Sequence, residues 1–382
     1  IVQGVSGVAG DILECYGGFV NTYRSVGILQ DVTEVAKEMG FSISETYPAV
    51  KPAIVFDGKQ YGFPRNVGVR FLWVNLEAFE RAGLSEPPDS WTFEEFEQMG
   101  KRYVEAMNDP KKPRSFFFHR YFTVFIRTIL LRSAGVDLYN ETMTASHLDR
   151  PEAEAVYERI YRWIHDDRII PTIAESKSLS ADSGKSRVEM HLFANGNYGM
   201  MDGGRWGLMH FRNVGPYRLA VKELPYRDYR NTLSAHGTSV VYRGSKQKEL
   251  AYYFLKFLAS EEYNMQIVEN ADGLPPVPKY AETEAFLRPP EHPNEWGTHG
   301  RIKEMSDELA IAFSYGPFTL FTPVIRHEKN AFDKFISNRS SVKEALKGLV
   351  ESINADMIRK VNESPEPSER YGQALKDQAE IE

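Results

Sequence analysis

Short runs of strand character alternate with amphipathic helical stretches along this whole chain, and that interleaving constrains the fold more than any other feature. Residues 67–74 alternate in polarity and carry β-branched and aromatic side chains, which predicts a strand. Further strands are expected at Ile12 and Leu13 and near residues 198–201, 218–221 and 239–242. The Asp57-Gly58 turn signal between residues 53–56 and 61–64 predicts a hairpin. Helical periodicity fills residues 31–39, 76–82, 117–133, 151–167, 246–270, 301–311 and 341–362. Gly83 reads as a helix stop, and Thr92 with Glu95 as the capping box of the next helix. Strands threaded between helices indicate an α/β fold rather than a bundle. Residues 363–382 are polar with two prolines, and are expected to dock loosely or fray.

Composition narrows the function. With 382 residues, 42% of them hydrophobic, the chain can bury a large core divided over two or three domains. The formal net charge of -7 arises from mixed acids and bases, so no basic face is offered to a phosphate backbone and no nucleic-acid partner is expected. Cys15 is the single cysteine, which excludes an intramolecular disulfide and any CxxC site. GxSxG, HExxH, Walker A and calcium-loop motifs are absent, and no two histidines stand at i, i+4. No catalytic residue, metal or cofactor is therefore predicted. No apolar run reaches the length of a membrane span. The chain starts at Ile1 without Met or a basic and apolar leader, so any targeting segment is expected to have been removed or left out.

Five groups of residues, taken in order, carry a family resemblance. The first is Asp57-Gly58-Lys59-Gln60-Tyr61-Gly62-Phe63-Pro64, followed by Asn66-Val67-Gly68, Trp73-Val74-Asn75, Phe79-Glu80-Arg81-Ala82-Gly83-Leu84 and Pro88-Asp89-Ser90-Trp91. The second is Ala134-Gly135-Val136-Asp137 with Pro151-Glu152-Ala153 and Ile170-Pro171. The third runs from Phe193 to Met201 and on to Gly204-Arg205-Trp206. The fourth is the helix around Ala251, Phe254, Leu255, Phe257 and Leu258 with Gly273-Leu274-Pro275-Pro276, and the fifth is Ser341-Val342-Lys343-Glu344-Ala345-Leu346. Over roughly residues 11–362 the chain thus resembles the extracellular solute-binding proteins of bacterial ABC sugar importers, the carbohydrate-type, maltose-binding-protein-like family.

The resemblance implies a two-lobe periplasmic-binding-protein fold of type II, each lobe a sheet flanked by helices and the two joined by a multi-strand hinge. One lobe is expected at 1–66 plus 239–298 and the other at 67–238 plus 299–382, with crossings near 63–70, 235–239 and 296–302. Family members carry an additional first βαβ unit, of which at most a remnant is expected at residues 1–5. The implied function is capture of a carbohydrate or sugar acid in the cleft and delivery to the permease subunits of an ABC transporter. The protein would be a monomer, periplasmic or extracellular, with or without a lipid anchor. A polysaccharide lyase or hydrolase, or a sensor or adhesin subunit on the same fold, is the alternative.

A sugar presents flat C–H faces to aromatic rings and hydroxyls to planar polar groups. Tyr16, beside Gly17 in a turn that opens a helix, and Trp206 are the expected stacking rings. Arg65 and Asn66 stand at the first crossing, and His119, Arg120 and Arg205 lie in other candidate cleft loops. Convergent cations would grip a carboxylate, so Arg65 points to an acidic ligand such as a uronate. His236 and Gly237 complete the set at the second crossing, the glycine allowing close backbone approach.

Overall fold

A computed structural model describes residues 1–108, 114–119, 123–181, 188–215, 218–313, 316–363 and 365–381. The strands are β1 (Ile12–Tyr16), β2 (Val55–Phe56), β3 (Lys59–Gln60), β4 (Gly62–Val69), β5 (Phe71–Asn75), β6 (Phe116–Phe118), β7 (Tyr198–Gly203), β8 (Leu219–Lys222), β9 (Thr232–Val241) and β10 (Ala310–Ile311). In the first sheet β9 lies between antiparallel β1 and β4 and pairs in parallel with β10. The second sheet has the order β6-β7-β5-β8. Between them, β2 and β3 form the hairpin anticipated around Asp57-Gly58, where both turn residues adopt positive φ, 53° and 75°.

The run expected as one strand over 67–74 is two. The backbone N–H of Arg70 donates to the Leu233 carbonyl at 3.3 Å, and its own carbonyl accepts from the Thr232 hydroxyl. Beyond that point the chain leaves β9 and enters the second sheet between β7 and β8. The first sheet consequently extends to Val69 and takes in Thr232–Val241.

Alternation along β5 serves two cores. Leu72 and Val74 join Met200 and Ala220 in one apolar cluster, with Trp91, Phe96, Phe117, Trp163 and Ile353. Phe71 and Trp73 join Met201 and Val221 in the other, with Val20, Phe63, Val240, Leu255 and Ile302. Each fully buried large apolar side chain contributes roughly 2–3 kcal/mol against exposure.

Three expectations for helices are corrected. Residues 117–133 form β6 and then the helix Val124–Ser133, because three consecutive phenylalanines pack both faces of a buried strand and Thr123 caps the helix that follows. Residues 246–270 split into Lys248–Leu258 and Glu261–Asn270, since the Ser260 hydroxyl caps the second helix by accepting from the Tyr263 N–H. The tail is the helix Pro365–Ile381. Tyr371 anchors it, with its ring 5.0 Å from Phe318 and its hydroxyl donating to the Thr144 carbonyl, while Gln378 bonds Thr142 and Glu141. Residues 2–5 form one helical turn. Both capping boxes, Thr92–Glu95 and Ser341–Glu344, are present. No helix among the described residues is long and apolar enough to cross a membrane.

Candidate functional site

Where the chain passes from one sheet to the other, a line of rings and charges runs between them. Tyr16 ends β1, its ring stacked 6.3 Å from His236 on β9 and set edge-on 5.5 Å from Phe125. The Arg70 guanidinium lies 4.8 Å above the same Phe125 ring and 5.1 Å from the ring of Trp206. Arg70 Nη1 is 3.1 Å from Asp202 Oδ2, and His119 Nε2 is 2.8 Å from Asp202 Oδ1. Nε2 also accepts from the Asp202 backbone N–H at 3.1 Å, so the imidazole is held against both the main chain and the carboxylate of Asp202. This buried triad occupies the C-terminal end of β7, the edge at which α/β sheets collect ligands.

Beside it opens a cavity of about 790 Å³. Arg70, His119, Asp202, Trp206, Glu189 and Asp272 supply its polar and aromatic wall, and Met190, Met201, Met209 and Phe211 much of the apolar remainder. The volume falls within the roughly 300–1,000 Å³ of small-molecule sites, and the mixture of apolar wall and few polar groups is typical of them.

Of the residues expected from sequence, His119 and Trp206 line this cavity. Trp206 packs over glycine: a Cβ on Gly204 would stand 1.8 Å from its ring, and one on Gly68 3.0 Å. Tyr16 and Gly17 lie at the other end of the line, around His236. A Cβ on Gly17 would be 2.1 Å from His236 Nε2. Burial pushes the Tyr16 hydroxyl well above its ordinary range, so it remains a neutral donor. His236 is 6% exposed, neither ring nitrogen has a hydrogen-bond partner among the described residues, and burial pulls its pKa down to about 4. Asn66 Oδ1 accepts from the Gly237 N–H at 3.0 Å and so pins β4 to β9 at the bulge between Pro64 and Asn66. Arg65 sits in that bulge, its carbonyl held by the Tyr263 hydroxyl at 2.9 Å and its Nε beside Gly237, apart from the cavity wall. Arg120 lies outside the described residues.

Arg205 corrects the sequence reading most clearly. It is 1% exposed and spent inside the protein: Nε donates to His299 Nδ1 at 3.1 Å, Nη1 to the carbonyls of Ile267 and Gly273, and Nη2 to that of Val268. Burial, and then the neighbouring Arg212, pulls its pKa down to about 9, still charged at neutral pH. Behind it, Arg212 grips Glu295 through both Nε and Nη2. Burial pushes the Glu295 carboxyl up, but hydrogen bonds from Arg212 and His299 outweigh it and hold it at about 2. The network ties the segment after β7 to the helices Glu261–Asn270 and Thr298–Glu308. A charge built into such a network cannot also reach a ligand.

Sequence reasoning missed Arg70, Asp202, Glu189 and Asp272. Arg70 carried one signal, as the lone cation inside a β-branched run, and Asp202 another, as the acid closing the strand Tyr198–Gly203. Among the described residues no three His, Cys, Asp or Glu side chains converge as a metal-binding set.

Comparison with known proteins agrees with this geometry. The model of the bacterial extracellular solute-binding protein family matches residues 3–294. A putative binding protein of Brucella abortus is 25% identical over 243 residues, 61% of this chain and 54% of that protein. The chain therefore spans about half the length of the curated relatives it matches. A probable sugar-binding periplasmic protein of Mesorhizobium japonicum is 35% identical over 81 residues, 21% of this chain and 18% of its own. Among solved structures, the ABC substrate-binding protein of Listeria monocytogenes in complex with cycloalternan superposes with a TM-score of 0.80 at 22% identity, covering 93% of this chain and 87% of that one. A solute-binding protein of Thermotoga lettingae bound with alpha-D-tagatose gives 0.78 at 18%, with the same coverage. These neighbours establish the two-lobe periplasmic-binding fold, each lobe a sheet flanked by helices. With that fold in place and the family model spanning most of the residues, the chain belongs to the bacterial extracellular solute-binding proteins.

Proposed function

We propose that this chain is the receptor of an ABC importer, which captures a carbohydrate in the cavity beside Arg70 and Trp206 and presents it to the permease subunits. The observation that carries this reading is the cavity itself, where an indole, a buried His119–Asp202–Arg70 triad and an apolar wall meet at the changeover between sheets. The indole suits a sugar face, and the fixed polar groups suit its hydroxyls. The solved neighbours, with their bound cycloalternan and tagatose, support the ligand class. We infer lobes organised around the two sheets, hinged where β4 becomes β5 and where β9 and the segment near 296–302 cross. Closure would shift an open population toward the closed one.

Contacts across the far side of the cleft suit such a hinge. Phe19 and Phe321 have ring centroids 4.6 Å apart, Asn21 donates to the Gly316 carbonyl, and Arg370 of the last helix is 3.1 Å from Asp57 at the hairpin tip. The protein would act as a monomer outside the cytoplasmic membrane and catalyse nothing. Isothermal titration against neutral and charged oligosaccharides tests this. Saturable one-to-one binding without product supports it, whereas steady release of product would establish an enzyme instead.

A further inference from the structure

We propose that the cavity prefers a carbohydrate carrying a protonated amine over its neutral analogue, and rejects the corresponding sugar acid, with Glu189 as the specificity-determining residue. This rests on the reading of the cavity as the sugar site and deepens it.

The inference follows from the charges on the wall. Among the described residues Arg70 is the only Lys or Arg lining the cavity, against three carboxylates, Glu189, Asp202 and Asp272. Arg70 is matched by Asp202 at 3.1 Å, and that carboxylate is further engaged by His119. Arg205, one of the cations expected in the cleft, is enclosed behind the wall and consumed by three main-chain carbonyls and His299. Its charge and that of Arg212 are answered within their own network by Glu295, and only their remaining field reaches Asp272. Among the described residues Glu189 has no such compensation. Its Oε2 is shielded from solvent and meets no donor from those residues.

A carboxylate oxygen enclosed at the edge of a ligand cavity accepts strongly and donates nothing. A hydroxyl would satisfy it, an ammonium would satisfy it and neutralise it, and a second carboxylate would meet like charge. Asp272, on the segment after the helix Glu261–Asn270, adds negative potential to the same cavity. The cavity thereby favours a glycosamine and disfavours a uronate, the reverse of what Arg65 suggested from sequence.

The test is titration calorimetry of the whole chain at neutral pH and low salt with three matched disaccharides: a glucosamine dimer, cellobiose and digalacturonate. The amine should bind about fivefold or more tighter than the neutral sugar, the increment of one partly shielded ion pair, and the acid weakest. Glu189→Gln should bring amine and neutral sugar to comparable affinity, chiefly by weakening the amine, and keep the wild-type melting temperature. Raised salt should narrow the wild-type preference. Equal binding of amine and neutral sugar, or a preference that survives Glu189→Gln, would overturn this proposal and leave the carbohydrate reading standing. Failure of all three to bind would overturn both.

Discussion

Replacing Arg205 by methionine separates a structural arginine from a ligand-gripping one. The substitution keeps the apolar stem and the space over Phe286, whose ring lies 4.4 Å from the guanidinium. It removes the donors on which the carbonyls of Ile267, Val268 and Gly273 and the Nδ1 of His299 depend, at 2.8–3.1 Å. The Val268 carbonyl keeps the Ala271 N–H at 3.4 Å; a buried acceptor left without a donor costs about 1–3 kcal/mol, and the other three, near the low end, give about 4 kcal/mol. Relief from burying a guanidinium offsets part of this, leaving a net loss of about 3 kcal/mol. Unfolding entropy of about 2.1 cal/mol/K per residue turns that loss into a fall of about 4 °C in melting temperature. Differential scanning calorimetry reads this directly, and sugar titration on the same sample reads affinity. A variant that melts with the wild type yet loses the sugar would refute the argument, because Arg205 would then be acting on ligand. Arg205→Lys, with its point charge in place of a fork, should fall between the two.

Other perturbations have equally definite signs. Burial pushes the Glu328 carboxyl up to about 7 from 4.5, against the opposing Arg127, so the folded state holds a proton that the unfolded state has released; stability should fall as pH rises from about 4.5 to 7, by roughly 3 kcal/mol, and Glu328→Gln should flatten that slope in melts against pH. His236 works in the opposite direction: its pKa falls from 6.5 to about 4, so stability is full above 6.5 and lost as pH falls toward 4, and His236→Leu should abolish that acid-side slope. Asp57 and Arg370 are both half-exposed, so their pair should contribute only about 0.5 kcal/mol, vanish in high salt and appear in a double-mutant cycle on the rate of sugar release. Gly204→Ala forces a Cβ toward the Trp206 ring and should weaken sugar binding by more than it lowers the melting temperature; an unchanged affinity would remove Trp206 from the site.

The sequence was most legible where one local rule decides. The Asp57-Gly58 hairpin and the two capping boxes follow from neighbours three or four residues away, and all are present. It was least legible where a long-range partner overrides a local pattern. Nothing within residues 67–74 says that Arg70 will meet Thr232 and turn the strand into a second sheet. Phe116–Phe118 carry apolar character compatible with either period, and only pairing with β7 makes them a strand. The tail helix is held by Phe318 and Thr144, more than fifty residues away from Tyr371. His119 and Trp206, expected from loops and ring chemistry, line the cavity proposed as the site. Arg205 was misjudged because its partners come from residues 267–299, so an arginine next to a tryptophan in sequence points away from it in space. Glu189 gave no signal, since its meaning depends on which donors it lacks.

The two-sided strand β5 has an evolutionary consequence. Because Leu72 and Val74 face one core while Phe71 and Trp73 face the other, inserting a single residue between Arg70 and Phe71 would swap every side chain of the strand to the wrong reservoir. Length here is therefore frozen, whereas a compensated exchange of side chains is not. Variation in relatives should change residue types along this stretch in correlated sets across both cores, and should place insertions elsewhere. The changeover proposed as the hinge also obliges the interiors on its two sides to evolve as one.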